Sequence, residues 1–344
     1  MNPSLAVIFL TLFSGAGFGL MAVVAIVNDF AIDGGLSPLR TAILVALSLL
    51  LVTMGMISST AHLANPKNAW RAFTRWRTSW LAREGVFAVL FYPVAIAYLG
   101  WVFFRNTTRG DGALVLANTA AVIGLITIFC QGMIYACLRT IRQWHTPLVP
   151  ANFYAMGLAL GMTMLATSQV LTRGPDLVLI STACALLVAA AVMKAIYYFW
   201  IGAPSGTTLQ TATGFTRGKV RLLDQGHTFG TFLTHEFSNC IPAARARNFR
   251  IAVYVLGFLA PIAILIAGAH GLLRLGVLFA PLLAFIGIGI ERYLFFVQAK
   301  HVINLYHGRM PGPLPQMHPA LRAGAGAADT MINKTRLVPS YEKR

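Results

Sequence analysis

The chain has 344 residues, of which 57% are apolar and only 11% are charged. Soluble globular proteins carry about 25% charged residues, so this composition excludes a soluble enzyme, a disordered chain and a disulfide scaffold. The net charge of +17 would suggest nucleic-acid binding in a soluble protein. In a chain this apolar, basic residues are expected in loops near anionic lipid headgroups, and no nucleic-acid partner is predicted.

Eight apolar segments are long enough to cross a hydrocarbon core of about 30 Å, which takes about 20 helical residues. Because only helices and closed barrels satisfy the backbone in lipid, these runs predict an all-α polytopic membrane protein. A polar loop at 203–249 is a predicted docking surface within an anchor domain over 1–299, and residues 300–344 form a predicted tail. The predicted spans lie near 4–27, 40–63, 84–104, 113–137, 151–171, 177–201, 250–269 and 275–299.

Basic residues are distributed unevenly between the two sides of the predicted bundle. An even number of spans places both termini on one side, and 21 of the 27 Lys and Arg residues fall there, against five on the other side and Lys194 inside the sixth span. Since Lys- and Arg-rich loops stay in the cytoplasm, both termini and the loop at 203–249 are predicted to be cytoplasmic. The first apolar run lacks a basic leader and a cleavage site, so it is expected to be a retained span.

Ionisable residues inside spans are costly and are usually paired or functional. Here they all fall in the predicted cytoplasmic half: His62, Glu84, Lys194, Glu291 and Arg292. Lys194 is expected to extend its ammonium group to the cytoplasmic surface. Glu291 and Arg292 are neighbours on one helix, so each is expected to pair across helices instead of with the other. A proton route through Glu291 is the alternative.

Metal and haem sites are not predicted. The four cysteines form no CxxC or CxxCH motif, and no His, Cys and carboxylate set has zinc-ligand spacing. A b-type haem needs two histidines on facing helices, and His62 is the clear candidate within a span on its side. The sequence therefore predicts no haem.

The segment 62–84 interleaves three tryptophans with four arginines. A quinone head needs hydrogen-bond donors at its two carbonyl oxygens, flat apolar walls and groups that carry protons. Histidine can donate and titrate near neutral pH, and Glu84 can relay protons at a helix start. The alternative is an interfacial loop, because Trp and Arg both favour the headgroup zone. The predicted quinone-binding residues are His62, Trp70, Arg75, Arg77 and Trp80.

Four stretches resemble a known family. The segment AHLANPKNAWRAFTRWRTSWLAREG at 61–85 and the opening PSLAVIFLTLFSGAGFGL resemble the membrane-anchor subunits of dimethyl sulfoxide reductase-type molybdoenzymes. The stretches GKVRLLDQGHTFGTFLTHEF at 218–237 and ERYLFFVQAKHVINLYHG at 291–308 look most similar to the branch that anchors a quinone-linked sulfite dehydrogenase. The resemblance covers nearly the whole chain.

The resemblance implies an eight-helix anchor in the bacterial inner membrane, without a redox metal of its own. Such an anchor docks an iron–sulfur subunit, which docks a molybdopterin catalytic subunit, and it exchanges electrons between the nearest cluster and ubiquinone or menaquinone. The family's histidine before a Leu-x-x-Pro turn and the acid at the next helix start are implicated in quinol binding and protonation. These two positions match His62 and Glu84 here.

The predicted function is therefore to pass electrons from sulfite oxidation, on a cytoplasmic partner, to the quinone pool. Family members with periplasmic catalytic subunits have outward-facing termini, whereas the charge distribution here predicts cytoplasmic termini, which fits the sulfite-oxidising branch. One alternative is a quinol-oxidising anchor of a dimethyl sulfoxide reductase-type enzyme. A second alternative is a transporter, which would need polar groups in the outer half of the membrane, and these are scarce.

Overall fold

The computed structural model describes residues 4–30, 32–61, 66–202, 208–223, 241–272 and 274–305. Within these ranges, all eight predicted spans are confirmed as helices long and apolar enough to cross a membrane. Their ends lie within about four residues of the predicted ones, except at the start of the seventh helix. The helices are α1 (Leu5–Asp29), α2 (Pro38–Thr60), α3 (Trp80–Arg105), α4 (Asp111–Ala136), α5 (Leu148–Thr172), α6 (Leu177–Gly202), α7 (Ala243–Ala269) and α8 (Gly276–Val297).

Helix α1 is the innermost helix of the bundle. It packs against α2, α4 and α5 along most of its length and against α8 near its start. Phe18, Leu20 and Met21 on α1 are completely buried. Helix α3 lies outside α2 and α4, whereas α6, α7 and α8 lie on the far side of α5. The hydrophobic core therefore runs along α1 and α5.

Glycines set the distance between α1 and α5. A Cβ atom on Gly19 would run into the backbone carbonyl of Gly157, and one on Gly161 would overlap the backbone of Gly19 and Leu20. Small residues let helix backbones approach closely in membranes, where helix association depends on van der Waals packing. The glycines of these two helices therefore make the central helix crossing possible.

The end of the bundle where α1 begins, called here the N-terminal end, is joined by the α4–α5 connection. The Trp144 indole nitrogen donates to the Phe295 carbonyl at 3.1 Å, which ties this connection to α8. The Tyr197 hydroxyl donates to the Gln143 carbonyl at 3.1 Å, which ties it to α6. Ile141 also forms an antiparallel bridge with His301, just beyond α8. These contacts hold the ends of α4, α6 and α8 and the start of α5 together.

At the opposite end, Asn28 holds the short α1–α2 connection. Its side-chain amide donates to the Tyr98 hydroxyl at 3.2 Å and to the Thr41 hydroxyl at 3.3 Å. Its side-chain oxygen accepts the Leu36 backbone N–H at 2.9 Å. One buried amide thus links α1, α2 and α3 in a region without bulk water.

Helix α7 begins at Ala243, seven residues before the predicted start. The added turns carry Arg245 and Arg247, which the apolar criterion placed in the loop. Of the predicted docking loop, the structure describes 208–223 and 241–249, including a short helix at Leu209–Thr213. Most of the predicted tail lies outside the described residues, and the docking role of the loop stays a prediction.

Candidate functional site

The Trp- and Arg-rich segment folds back across the start of α3. Residues Pro66–Arg75 form a 3₁₀ helix. The Phe73 ring lies 3.4 Å from the position that a Cβ on Gly85 would occupy, which places the segment over the first turns of α3. Trp70 is 61% exposed, and the Arg71 guanidinium lies 5.7 Å from its ring centre. The segment therefore presents a surface of exposed aromatic and cationic side chains at the N-terminal end.

The predicted quinone-binding residues are placed in different surroundings. Trp70, Arg75 and Arg77 are exposed on the segment surface. Trp80 is half-buried at the start of α3, with its ring 5.8 Å from that of Phe129 on α4 in an edge-to-face contact. His62 lies outside the described residues. The structure thus places Trp80 against the bundle and the other three described residues on its surface, and the quinone role of all five stays a prediction.

Glu84 lies in the second turn of α3, one turn later than the predicted helix start. The helix begins at Trp80, and the Ser79 hydroxyl caps it by accepting the Ala82 N–H. This start directs Glu84 into the bundle, where it is only 3% exposed. Sequence reasoning placed this carboxyl correctly at the N-terminal end but did not predict its burial.

One side-chain amide holds Glu84 in place. The Gln131 amide nitrogen on α4 donates to Glu84 Oε1 at 2.9 Å and to the Ser14 hydroxyl on α1 at 2.7 Å. Ser14 in turn donates to the Leu10 carbonyl at 2.5 Å. Three helices therefore meet at a chain of hydrogen bonds that ends on the Glu84 carboxyl.

This carboxyl is suited to carrying a proton. Among the residues that the structure describes, ion pairs join Lys194 and Arg292 to Glu291, and neither includes Glu84. Placing a carboxyl in an apolar interior without a cation costs free energy, and such groups are concentrated where protons are taken up or released. Glu84 is also one helical turn from the exposed surface of the Trp- and Arg-rich segment.

A second buried cluster lies where α6 and α8 meet. Lys194 on α6 pairs with Glu291 on α8, and the Arg292 Nε lies 2.5 Å from the other Glu291 oxygen. None of the three residues is more than 3% exposed. The Lys194 ammonium also lies 4.0 Å from the Tyr197 ring centre, and the Arg292 guanidinium lies 4.0 Å from that of Phe153.

Two expectations for this cluster were wrong. Lys194 does not extend to the surface, because its side of α6 faces α8 and the carboxylate there neutralises it. Glu291 does pair across helices, as predicted, but Arg292 bonds its own neighbour Glu291 as well. The long Arg292 side chain can curl back to Glu291 because both are enclosed by α5 and α6. Whether Glu291 carries protons stays a prediction.

A small cavity separates the two clusters. It has a volume of about 10 Å³, enough for roughly one water molecule, and lies between α1, α4, α5 and α8. Its polar lining residues are Thr11, Gln131 and Arg292, and the rest of the lining is apolar. Gln131, which holds Glu84, and Arg292, which holds Glu291, therefore face the same enclosed space.

Comparison with known proteins decides the family. The family model described as DMSO reductase anchor subunit (DmsC) matches residues 1–297. The chain belongs to this family. It is also 31% identical to a subunit of the sulfite dehydrogenase of Allochromatium vinosum over 325 residues, which are 89% of this chain and 99% of that protein. The resemblance predicted from the sequence is confirmed.

This DmsC-family anchor subunit is therefore a multi-pass membrane protein of an oxidoreductase complex, and its family implies catalytic and electron-transfer partner subunits. Within the described ranges, no three His, Cys, Asp or Glu side chains lie together as metal ligands. The expectation that this subunit holds no haem stays a prediction.

Sequence reasoning missed Gln131 and Ser14, which hold Glu84. The available signal was a glutamine in an otherwise apolar span, since an amide at membrane depth needs partners as a charged group does. Only ionisable residues were screened at that depth. The contact with Ser14 joins residues 117 positions apart, and no local pattern predicts it.

Proposed function

We propose that this anchor subunit binds a quinone beside Glu84 and passes electrons to it from an iron–sulfur partner subunit. A molybdopterin subunit of the same complex oxidises sulfite to sulfate. The observation that carries this proposal is Glu84: a carboxyl buried without a cation from any described residue, held by Gln131, one turn below an aromatic and cationic surface. The identity with a sulfite dehydrogenase subunit supports sulfite as the partner's substrate.

Quinone reduction takes up two electrons and two protons. The electrons come from the nearest iron–sulfur cluster of the partner. Glu84 delivers a proton to a quinone oxygen, and the Gln131 amide fixes the Glu84 carboxyl between transfers. Trp70 and Trp80 supply flat apolar walls for the quinone ring. The hydrogen bonds to its carbonyl oxygens come from His62, Arg75 and Arg77.

The docking face of the complex is cytoplasmic in this proposal. Its support is the position of 21 of the 27 Lys and Arg residues on the side of the termini. Protons then enter the quinone site from the same side as the electrons, so the chemistry itself moves no charge across the inner membrane. A reporter that is active only in the cytoplasm should be active when fused to the C-terminus. A fused reporter that requires the periplasm and is nevertheless active would overturn this orientation.

The quinone site is tested with Glu84→Gln in the complete complex. Glutamine keeps the size of the side chain but cannot carry the proton, so sulfite-to-quinone activity should fall by about 100-fold or more. Sulfite oxidation with an artificial dye, which bypasses the anchor, should be unchanged. Asp111→Asn is the matched control, because Asp111 is an exposed acid at the start of α4, at the opposite end of the bundle.

Full quinone activity in Glu84→Gln would remove Glu84 from the proton path. Loss of the dye-linked reaction as well would show that Glu84 is needed for assembly, and not for the quinone reaction.

The reverse direction of electron flow is a second candidate, because the matched family is described by a reductase. Glu84 would then accept a proton from a quinol, and the electrons would leave through the iron–sulfur partner. Purified complex that reduces a sulfoxide with quinol, and fails to reduce quinone with sulfite, would establish this alternative.

A further inference from the structure

A large apolar groove runs along the outside of α8. It has a volume of about 630 Å³ and is lined by residues of α1, α2, α5 and α8, among them Phe9, Leu12, Leu282, Phe285 and Gly289. Ligand sites are commonly mostly apolar clefts of about 300–1,000 Å³ with a few polar groups at one end. Along α8 the lining extends from Leu278 to Gly289, which is about 16 Å at 1.5 Å per residue.

The inner end of the groove adjoins the polar cavity. Gly289 lines the groove, and Arg292, one helical turn further along α8, lines the cavity. Leu12 on α1 lines both, so a single leucine side chain forms the wall between them. The groove therefore leads from the far half of the bundle to the polar groups that hold Glu84 and Glu291.

Those polar groups have hydrogen-bonding capacity left. The Gln131 side-chain oxygen is buried and has no hydrogen-bond partner among the described residues, although its amide nitrogen donates to Glu84 and Ser14. Glu291 and Met156 accept two of the five N–H groups of Arg292. Buried polar atoms without partners are rare in folded proteins, because each costs about 1–3 kcal/mol.

The wall between groove and cavity is built from an irregular helical turn. Leu10–Ser14 form a π-helical turn within α1, and this turn carries Leu12 as well as Ser14, the partner of Gln131. π-Helical turns are rare, and inside α-helices they are frequent at functional sites. The turn thus gives α1 a local departure from α-helix at the point where the apolar and polar spaces meet.

We infer that the groove holds the isoprenoid chain of the quinone, with the head directed toward the Gln131–Arg292 end and Leu12 at the junction. This inference rests on the proposed quinone function and adds the path of the chain. A quinone combines a flat head that accepts hydrogen bonds with a long apolar chain, and the groove and cavity present these two environments in that order. A phospholipid fits less well, since its charged headgroup stays at the membrane surface, whereas Arg292 lies five residues inside the end of α8.

The test compares a long-chain isoprenoid quinone with a short-chain quinone in the complete complex, reconstituted in vesicles. Gly289→Leu fills the inner end of the groove. A Cβ on Gly289 would lie 3.3 Å from the end of the flexible Leu12 side chain, so α8 can keep its place. Gly100→Leu on α3 is the matched control, because a Cβ there has no described atom within 4 Å.

We expect Gly289→Leu to lower kcat/KM for the long-chain quinone by about tenfold and to leave the short-chain quinone within about twofold. Gly100→Leu should change neither. Equal losses with both quinones, or no loss with either, would overturn the inference and leave the groove to a lipid chain. The proposed function would still stand, because the wild-type complex would reduce both quinones. A wild-type complex that reduces neither quinone would instead refute the proposed function, and this inference with it.

A binding measurement covers the case in which Gly289→Leu does not assemble. A quinone with a photoreactive group on its isoprenoid chain should label peptides of α8 between residues 279 and 289 in the wild-type complex. Excess unlabelled long-chain quinone should suppress this labelling. Labelling confined to other helices, or labelling that the competitor does not reduce, would contradict the assignment without any activity assay.

Discussion

The buried cluster of Lys194, Glu291 and Arg292 predicts that two single substitutions differ in their effect on stability. When ionised, the cluster has two cations around one carboxylate, all at most 3% exposed. Glu291→Gln keeps the side-chain shape but leaves two buried cations without an anion. Removing one partner of a buried ion pair costs about 3–5 kcal/mol, so we expect a loss of that size.

Lys194→Met should cost much less. Methionine keeps the unbranched chain, and its substitution leaves a neutral pair of Glu291 and Arg292 whose atoms are 2.5 Å apart. What is lost is one ion pair and the contact of the ammonium with the Tyr197 ring, whereas the cost of burying that ammonium disappears. We therefore expect a loss below about 2 kcal/mol.

The measurement is the free energy of unfolding in mixed detergent micelles, followed by helical circular dichroism during titration with a denaturing detergent. Glu291→Gln should unfold at clearly lower denaturant than Lys194→Met. If Lys194→Met destabilises the chain as much as Glu291→Gln or more, the carboxylate is not the group that balances the buried charge, and the prediction is refuted.

Three further substitutions test other parts of the bundle. Gly19→Leu should prevent assembly, measured as loss of folded protein in size-exclusion chromatography, because its side chain would meet the backbone of Gly157. Gln131→Leu should lower quinone activity by about tenfold or more, with dye-linked sulfite oxidation unchanged, because Glu84 loses the amide that holds it. Asn28→Leu should cost about 1–3 kcal/mol in the same unfolding titration, because three hydrogen bonds between α1, α2 and α3 are lost.

The spans were predictable because the thickness of the hydrocarbon core fixes the length of an apolar helix. The same criterion placed the start of α7 too late, since it reads only the apolar part of a helix. Arg245 and Arg247 continue α7 beyond that part. Hydropathy therefore locates the membrane-embedded portion of a helix and leaves its polar extension undetected.

Rotation about the helix axis was not predictable in the same way. Lys194 lies eight residues before the end of α6, a depth from which an ammonium group can extend to the surface. Its direction depends on which side of α6 faces α8, and that is decided by packing between helices distant in sequence. Glu84 was identified by its charge alone, whereas its partners Gln131 and Ser14 become visible only once α1, α3 and α4 are assembled.

The central position of α1 has a consequence for biosynthesis. In its most apolar stretch, 83% of the residues are buried by other helices, yet it is the first of the eight helices to leave the ribosome. Its main partner α5 begins about 120 residues later, which at about 5–20 residues per second takes about 6–25 s. During that interval the glycine face of α1 has only lipid or the insertion machinery to contact. The nascent chain must therefore keep its eventual core helix at the membrane until half of the bundle has been translated, and the last helices can close around it only afterwards.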